Sequence, residues 1–402
     1  MSKKKRLNAA DLRGLTNILK DATLHITNLA EELNKQIVHP PFLKSTPLQH
    51  LITDIASITY NNVRSITKLV GFGLEKTLTK LEPIFDSKEI PFEHKGLLVA
   101  ILNGVVGDYL KEKGNPLATR MHFTYKEGDL DLDAAAIEEA YPNINGKILL
   151  MVHGSCLNDV WWNWKGHDHG VELAKDLDKT PVYVQYNTGL HISTNGQELS
   201  QILEELVDAW PVPVEEITIV AHSMGGLVSR STYHYGTKED KTWVKHIDKM
   251  IFLGSPHQGA PLERIGNFID QILEAVPYAK PFARIGKLRS SGITDLRYGT
   301  LVDEDWEGVD RFQKQERDRT HIPLPEDVEC YTIAATMGVK DAELNLLGDG
   351  LVQLDSALGK DKKLHKNLNF KASNTYIVYE ANHMDLLNSL EVYEQLQKWI
   401  KD

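Results

Sequence analysis

The front of the chain carries apolar residues at helical spacing. Between residues 9 and 37 an apolar side chain recurs at every seventh position, at Leu12, Leu19, Ile26 and Leu33. Two further helical patterns run over 48–81 and 97–109, and the sequence Gly-Asn-Pro at 114–116 ends the last one. These patterns predict a helical segment over residues 1–117 that packs as an appendage on a neighbouring domain.

From about residue 118 the pattern changes to short, almost continuously apolar runs. Such runs are typical of parallel strands that are buried on both faces. The predicted strands are Met121–Tyr125, Leu130–Leu132, Ile148–Val152, Val182–Tyr186, Ile217–Ala221, Met250–Leu253, Val328–Ala334 and Thr375–Tyr379. Helical patterns at Gly196–Ala209, Gly225–Tyr235 and Leu386–Ile400 separate several of them. The predicted fold class of residues 118–402 is therefore α/β, with a doubly wound, mostly parallel sheet.

The stretch between the strands that end at Leu253 and begin at Val328 is too long for a simple crossover. It predicts a cap inserted at about residues 257–325, with a helix over Ala260–Val276. An insertion at this point commonly overhangs the functional site of the domain, and we expect the same here. A surface excursion without a role is the alternative.

Composition is ordinary for a globular protein, with 42% apolar and 25% charged residues. No apolar run approaches the roughly 20 residues that span a bilayer, and the basic start at residues 1–6 is not followed by the apolar core of a secretory signal. We therefore expect a cytoplasmic protein. The two cysteines, Cys156 and Cys330, predict neither a disulfide framework nor a metal site, and we expect buried, inert thiols.

The net charge of −11 argues against nucleic acid as a partner. Charge is unevenly distributed, with 12 Lys and Arg against 6 Asp and Glu through residue 80 (+6) and 33 against 50 in the remainder (−17). The front segment can therefore dock on the acidic domain or make a peripheral contact with an anionic membrane. A set of solvated helix faces is the third interpretation.

A candidate nucleophile lies at the end of one predicted strand. Residues 217–226 read Ile-Thr-Ile-Val-Ala-His-Ser-Met-Gly-Gly, with Ser223 between the small residues Ala221 and Gly225. This is the pattern of a nucleophile elbow, in which a tight turn from strand to helix presents the serine hydroxyl. The amide of Met224, first in the following helix, would stabilise an oxyanion.

A serine needs a base and an acid that orients the base. On this architecture the acid follows a late strand and the histidine follows the last one, which selects Asp349 and His383. His222 and His257 compete for the role of base, although the backbone at His222 directs that side chain away from the hydroxyl. The competing acids are Asp355 and Asp385.

The loop after the strand at 148–152 predicts the second oxyanion donor. Gly154 allows close approach of the backbone, and the amide of Ser155 would complete the oxyanion hole with Met224. Trp161 and Trp162 are candidates for lining the substrate pocket, together with His257. The tryptophans, with Trp164 beside them, fit packing between segments equally well.

Together these motifs resemble the bacterial lipase and esterase branch of the α/β-hydrolase superfamily. The five matching sequences are Val-His-Gly-Ser at 152–155, Ala-His-Ser-Met-Gly-Gly at 221–226, Gly-Ser-Pro-His-Gln-Gly at 254–259, Gly-Asp-Gly-Leu-Val at 348–352 and Asn-His-Met-Asp at 382–385. They are also similar to the lipase-like domain of glycosylphosphatidylinositol inositol-deacylases. Ala221 stands where many relatives have glycine. Many secreted relatives bind calcium through the residue matching Asp385, but the other ligands are not recognisable, so no metal is predicted.

The predicted function is hydrolysis of a small-molecule or lipid carboxylic ester through an acyl-enzyme on Ser223, His383 and Asp349. This chemistry requires no metal or organic cofactor. Two alternatives remain open. One is an acyltransferase that uses the same acyl-enzyme, and the other is a catalytically idle hydrolase fold that binds a partner through its front segment. The oligomeric state does not follow from the sequence.

Overall fold

The computed structural model describes residues 92–112, 114–115, 117–126, 128–275, 290–308, 319–340 and 348–401. The helical patterns predicted at 9–37 and 48–81 lie outside these residues. The chain divides into two units, one of Met1–Lys95 with Tyr109–Leu117 and one of Gly96–Asp108 with Ala118–Asp402. The sheet and the candidate site belong to the second unit.

The helical pattern at 97–109 is confirmed as helix α1 (Phe92–Glu112), whose backbone departs from helical geometry at Val106. Residues 96–108 of α1 group with the second unit, whereas the sequence assigned them to the front segment. Close approaches explain this placement: a Cβ at Gly104 would collide with Cys156, and the side-chain amide of Asn187 donates to the Gly107 carbonyl at 2.9 Å.

An eight-stranded sheet forms the centre of the second unit. The described residues form ten strands: β1 His122–Tyr125, β2 Gly128–Asp129, β3 Lys147–Val152, β4 Asn163–Trp164, β5 His167–Asp168, β6 Thr180–Gln185, β7 Glu216–His222, β8 Ile247–Leu253, β9 Glu329–Ala335 and β10 Thr375–Val378. The order in the sheet is β2-β1-β6-β3-β7-β8-β9-β10, while β4 and β5 form a separate hairpin. Strands β3 and β6 to β10 are parallel, and β1 pairs with β6 in the antiparallel sense.

The first hairpin differs from its prediction. Sequence placed the second strand at Leu130–Leu132, but the residues that pair are Gly128 with Tyr125 and Asp129 with Thr124. The chain turns immediately after Tyr125, where Lys126 adopts a φ of 47°. Because the turn is this tight, pairing begins two residues earlier than the apolar pattern indicates.

The helices that follow β2 are α2 Ala134–Ala140, α3 His169–Leu177, α4 Ile192–Ala209, α5 Met224–Lys238, α6 Leu262–Ala275, α7 Ser291–Tyr298, α8 Leu354–Ala357 and, after the last strand, α9 Leu390–Lys401. Helix α4 begins four residues before its prediction. Helix α9 begins four residues after its prediction, because a 3₁₀ turn occupies Asp385–Leu387.

Right-handed crossovers place these helices on both faces of the sheet. The chain moves from β3 to β6 through α3 and then back past β3 to β7 through α4, so α3 and α4 lie on opposite faces. Helix α5 packs on α4, and α9 packs on α3. The predicted doubly wound α/β fold is confirmed. The loops after β3 and β7 diverge at the point where the strand order reverses, which is where open α/β sheets bind ligands.

Helices α6 and α7 lie in the insertion between β8 and β9. Helix α7 is held by hydrogen bonds to other parts of the second unit: the Ser290 hydroxyl donates to the Gly104 carbonyl at 2.7 Å, and the Gly292 amide donates to the Gly189 carbonyl at 3.1 Å. The Asp295 carboxylate accepts the Ile192 amide at 2.8 Å. These contacts fix α7, the second described helix of the cap, to the residues around the sheet.

Candidate active site

Ser223 occupies the strained turn between β7 and α5. Its φ of 54° and ψ of −123° lie in a region that non-glycine residues rarely adopt, which is typical of functional positions held by their surroundings. The Ser223 amide donates to the Leu253 carbonyl at 2.8 Å, which ties the turn to β8. Its hydroxyl is buried and has no hydrogen-bond partner among the described residues.

Close approach of the chain explains the small residues around this serine. A Cβ at Gly225 would lie against the carbonyl oxygens of Val152 and His153, and a Cβ at Gly154 would lie 2.9 Å from the Cβ of Ser223. The loop after β3 is therefore in contact with the nucleophile turn. The amide of Met224 lies in the first turn of α5, where no intrahelical acceptor exists, so it can donate to an anion.

Two polar contacts fix the loop that carries Gly154 and Ser155. The Tyr186 hydroxyl donates to the His153 carbonyl at 2.7 Å, and the Cys156 amide donates to the Thr188 hydroxyl at 3.1 Å. Cys156 has a φ of 61°, so the chain bends sharply just after Ser155. Burial raises the pKa of the Cys156 thiol to about 12, which keeps this cysteine protonated and unreactive.

The structure brings Asp349 and His383 together. Nδ1 of His383 lies 2.6 Å from Oδ2 of Asp349, and both side chains are almost fully buried. The other carboxylate oxygen of Asp349 accepts the amides of Leu351 and Val352 at 3.0 and 2.7 Å. The amides of the turn that follows Asp349 thus hold its carboxylate, and the carboxylate orients the imidazole of His383. Nε2 of His383 is buried and has no hydrogen-bond partner among the described residues.

The competing acids are placed elsewhere. Asp355 is exposed in the short helix α8. Asp385 accepts the Asn382 amide at 3.0 Å and lies 3.4 Å from the Lys165 ammonium group. Within the described residues, the hydrogen bonds and ion pairs of the His383 ring include Asp349 but neither of these two carboxylates, so Asp349 is the acid that the geometry favours. Among the described residues, no group of three or more His, Cys, Asp and Glu side chains could hold a metal ion.

His222 lies beside the candidate base and contacts its main chain, not its ring nitrogens. Its ring centroid is 4.6 Å from that of His383, and its Nε2 is 3.2 Å from the main-chain oxygen of His383. The ring is fully buried, and burial followed by the neighbouring His383 lowers the pKa of His222 well below its usual value. His222 is therefore a neutral neighbour of the candidate base.

His257 lies in a different cluster. Its ring lies perpendicular to the Phe252 ring at a centroid distance of 4.9 Å and is tilted by 45° to the Phe370 ring at 5.5 Å. Its Nδ1 is 3.5 Å from a guanidinium nitrogen of Arg230. Burial and then the charge of Arg230 lower the pKa of His257 well below its usual value. The described contacts of His257 do not include Ser223, and its role in substrate binding stays a prediction.

The tryptophans divide between two environments. Trp161 stacks on Trp164 at a centroid distance of 4.9 Å, whereas the Trp162 and His222 rings form a T-shaped pair at 6.5 Å. Trp161 and Trp162 are both buried. Trp162 therefore lies next to His222, which neighbours the candidate base, and Trp161 packs on Trp164 of the β4–β5 hairpin.

The sequence did not predict one contact of the candidate base. Phe268 of α6 packs perpendicular to the His383 ring at a centroid distance of 5.3 Å. Phe268 is buried on the same face of α6 as Ile265, Ile269 and Ile272. The apolar spacing along the helix indicates that Phe268 is buried, but no local pattern indicates that its neighbour is a histidine more than a hundred residues away.

The central part of the chain matches a known protein family. Residues 183–325 match the family described as PGAP1-like alpha/beta domain. No curated protein matches the chain. In the part of the chain that the structure describes, no helix is long and apolar enough to cross a membrane.

Several solved structures are similar to the chain at low identity. The mature Bacillus licheniformis lipase BlEst2 has 16% identity and a TM-score of 0.40, with 69% of this chain and 98% of that chain covered. An esterase of Pyrobaculum calidifontis has 12% identity and a TM-score of 0.40, with 77% and 90% covered. Carboxyl esterase 2 of the mycorrhizal fungus Tuber melanosporum has 14% identity and a TM-score of 0.35, with 63% and 76% covered.

The family match begins in β6 and includes β7, the Ser223 turn and the described cap helices, while Asp349 and His383 lie beyond it. Over these residues the match confirms the predicted resemblance. The order and direction of the strands show the predicted sheet without any use of the family match. The chain therefore has the α/β-hydrolase fold, and its central part, which carries Ser223, matches the PGAP1-like alpha/beta domain family.

Proposed function

We propose that this chain is a serine hydrolase that cleaves carboxylic esters through an acyl-enzyme. The observation that carries the proposal is the buried 2.6 Å hydrogen bond between Asp349 and Nδ1 of His383, at the same edge of the sheet as Ser223. A carboxylate on Nδ1 fixes the tautomer in which Nε2 is unprotonated and can act as a base. Ser223 supplies the hydroxyl on a turn of the required shape.

In the first half of the proposed reaction, Oγ of Ser223 attacks the carbonyl carbon of the ester while its proton moves to Nε2 of His383. The carbonyl π electrons move to the oxygen and form a tetrahedral oxyanion. Collapse of this intermediate breaks the bond to the alcohol oxygen, which takes the proton from Nε2. Asp349 stabilises the imidazolium that exists between these two transfers.

In the second half, a water molecule gives its proton to Nε2 and attacks the acyl carbon. The second tetrahedral intermediate releases the carboxylic acid, and the proton returns from Nε2 to Oγ of Ser223. The amides of Ser155 and Met224 would stabilise both oxyanions. This role is supported by the contact between the Gly154 loop and Ser223 and by the position of Met224 in the first turn of α5.

Labelling of the wild-type chain with a fluorophosphonate probe, followed by mass spectrometry, tests the nucleophile. We expect a single adduct on Ser223, absent from Ser223→Ala. Ser231→Ala is the matched control, because Ser231 is also buried in α5 and its hydroxyl donates to the Leu301 carbonyl at 2.7 Å. It should label at the wild-type rate. An adduct that survives Ser223→Ala would contradict the assignment.

A panel of p-nitrophenyl esters of increasing chain length tests the reaction itself. Ser223→Ala should lower turnover by roughly four to six orders of magnitude, because the covalent path is lost. Quantifying the released acid, with and without an added alcohol, separates hydrolysis from acyl transfer. If Ser223→Ala keeps more than about a tenth of the wild-type turnover, another group is the nucleophile.

A further inference from the structure

His222 makes one directed contact with the loop that carries the candidate base. Its Nε2 lies 3.2 Å from the main-chain oxygen of His383. A carbonyl oxygen can only accept, so Nε2 is the donor and carries the proton of the neutral ring. His222 is the last residue of β7 and directly precedes Ser223. One hydrogen bond therefore connects the main chain of the base to the residue beside the nucleophile.

This connection spans a considerable part of the sheet. His383 follows β10, and β8 and β9 lie between β10 and β7. A small displacement of the His383 loop relative to β7 would change the distance over which the proton moves from Ser223. Proton transfer requires groups placed within hydrogen-bond reach, and displacements of about 1 Å can cost about 100-fold in rate.

The His222 ring has little freedom to move. A Cβ at Gly154 would lie 3.0 Å from its Nδ1, so the oxyanion loop closes one side of the ring. Trp162 forms a T-shaped pair with it at a centroid distance of 6.5 Å, and the centroid of the His383 ring lies at 4.6 Å. The side chain is fully buried. Nε2 is thus held in the direction of the His383 carbonyl.

The ring is also uncharged while it makes this contact. Burial, followed by the neighbouring His383, lowers the pKa of His222 well below 6.5, and His153 and His169 act in the same direction. A neutral ring adds no positive charge beside the imidazolium that His383 becomes during the proposed reaction. His222 can therefore support the base without opposing its protonation.

We infer that His222 is a positioning residue, whose Nε2–H holds the main chain of His383 in the place from which the imidazole reaches Ser223. The inference rests on the proposed function. It assigns to the histidine of the Ala-His-Ser-Met-Gly turn a role that is distinct from those of the nucleophile, base, acid and oxyanion donors.

Two substitutions distinguish the hydrogen bond from the bulk of the side chain. His222→Gln keeps an N–H donor near the position of Nε2, whereas His222→Leu fills similar space without a donor. With p-nitrophenyl butyrate, His222→Leu should lower kcat by about 10- to 100-fold and change KM by less than about twofold. His222→Gln should stay within about threefold of the wild-type kcat. Where His222→Leu is insoluble, His222→Asn replaces it, because the shorter amide cannot reach the His383 carbonyl.

Thr232→Val is the matched control for loss of a buried hydrogen bond. The Thr232 hydroxyl is buried in α5 and donates to the Val228 carbonyl at 2.9 Å, within the same helix. This variant should lower the melting temperature without changing kcat. A kcat loss in His222→Leu that Thr232→Val reproduces at equal destabilisation would overturn the inference.

A double-mutant cycle with His383→Ala provides the readout that a purely structural role would not produce. If His222 acts through His383, adding His222→Leu to His383→Ala should lower the residual rate by less than about twofold. Persistence of the full loss in the His383→Ala background would overturn the inference, as would a His222→Gln variant as slow as His222→Leu. A wild-type chain that neither hydrolyses the ester nor labels with the fluorophosphonate would overturn the proposed function as well.

Discussion

His383 and Asp349 are joined by two hydrogen bonds, one between side chains and one between main chains. Nδ1 of His383 lies 2.6 Å from Oδ2 of Asp349, and the His383 amide donates to the Asp349 carbonyl at 3.0 Å. The loops that follow β9 and β10 are thereby fixed to each other. Because the two side chains are buried, water competes little for the contact, and the imidazole keeps one orientation.

This relationship makes a direct prediction for Asp349→Asn. The amide keeps the shape of the carboxylate but favours the wrong tautomer of His383, so kcat should fall by about three to four orders of magnitude. Asp355→Asn is the control, because Asp355 is exposed and should change kcat very little. Steady-state kinetics on one p-nitrophenyl ester measures both. A larger loss in Asp355→Asn than in Asp349→Asn would move the acid to Asp355.

The contact between the loop after β3 and the nucleophile turn predicts the effect of Gly154→Ala. The added Cβ would lie 2.9 Å from the Cβ of Ser223 and 3.0 Å from Nδ1 of His222, so the loop must move away. Displacing the Ser155 amide would remove one of the two proposed oxyanion donors, which should lower kcat by about 100- to 1,000-fold. Fluorophosphonate labelling should slow in parallel, since the phosphoryl oxygen uses the same donors.

Gly266→Ala is the matched control for this substitution. Gly266 lies in α6, and a Cβ there meets no atom of the other described residues within 4 Å, the backbone of its own helix aside. It should leave kcat near the wild-type value and raise stability slightly, by up to about 1 kcal/mol, because alanine favours the helix. Equal kinetic losses in Gly154→Ala and Gly266→Ala would remove the basis for placing the oxyanion hole in the loop after β3.

The contact between Phe268 and His383 predicts that Phe268 affects the selectivity for the alcohol part of the ester. His383 protonates the departing alcohol in the proposed reaction, and Phe268 packs on the His383 ring, so we expect the alcohol part of the substrate to pass close to Phe268. In Phe268→Ala, kcat/KM for butyrate esters of bulky alcohols should rise relative to ethyl butyrate by about 10-fold. Preference among acyl chains on a fixed alcohol should change less. A change confined to acyl preference would place Phe268 on the acyl side.

The grouping of residues 96–108 with the sheet predicts the result of truncation. A chain that starts at residue 118 loses these residues, to which Asn187 and Ser290 hydrogen-bond. It should melt earlier than a chain that starts at residue 92, and it should scatter more light, because the partners of α1 become exposed. Differential scanning calorimetry of the two chains checks this. Equal melting temperatures would show that α1 contributes nothing to the stability of the sheet.

Sequence alone determined the features that depend on a few neighbouring residues. The apolar runs that became β3, β7 and β8 are buried on both faces, and no other element type fits their length and composition. The small residues around Ser223 indicated the turn, because only a tight turn from strand to helix demands them at those positions. Chain order then selected Asp349 and His383 from several candidates, and the structure places their side chains in contact.

Tertiary structure decided the features that depend on strand order and register. The contacts of Phe268 and His222 with His383 join residues that are far apart in the chain, and no local pattern reports them. The same holds for residues 96–108, whose helical pattern was evident although their packing partners, Cys156 and Asn187, were not. The periodicity of apolar residues shows which side of a helix or strand is buried. It does not show which residues contact that side, because these contacts form only when the strands align and bring their carboxyl ends to one edge of the sheet.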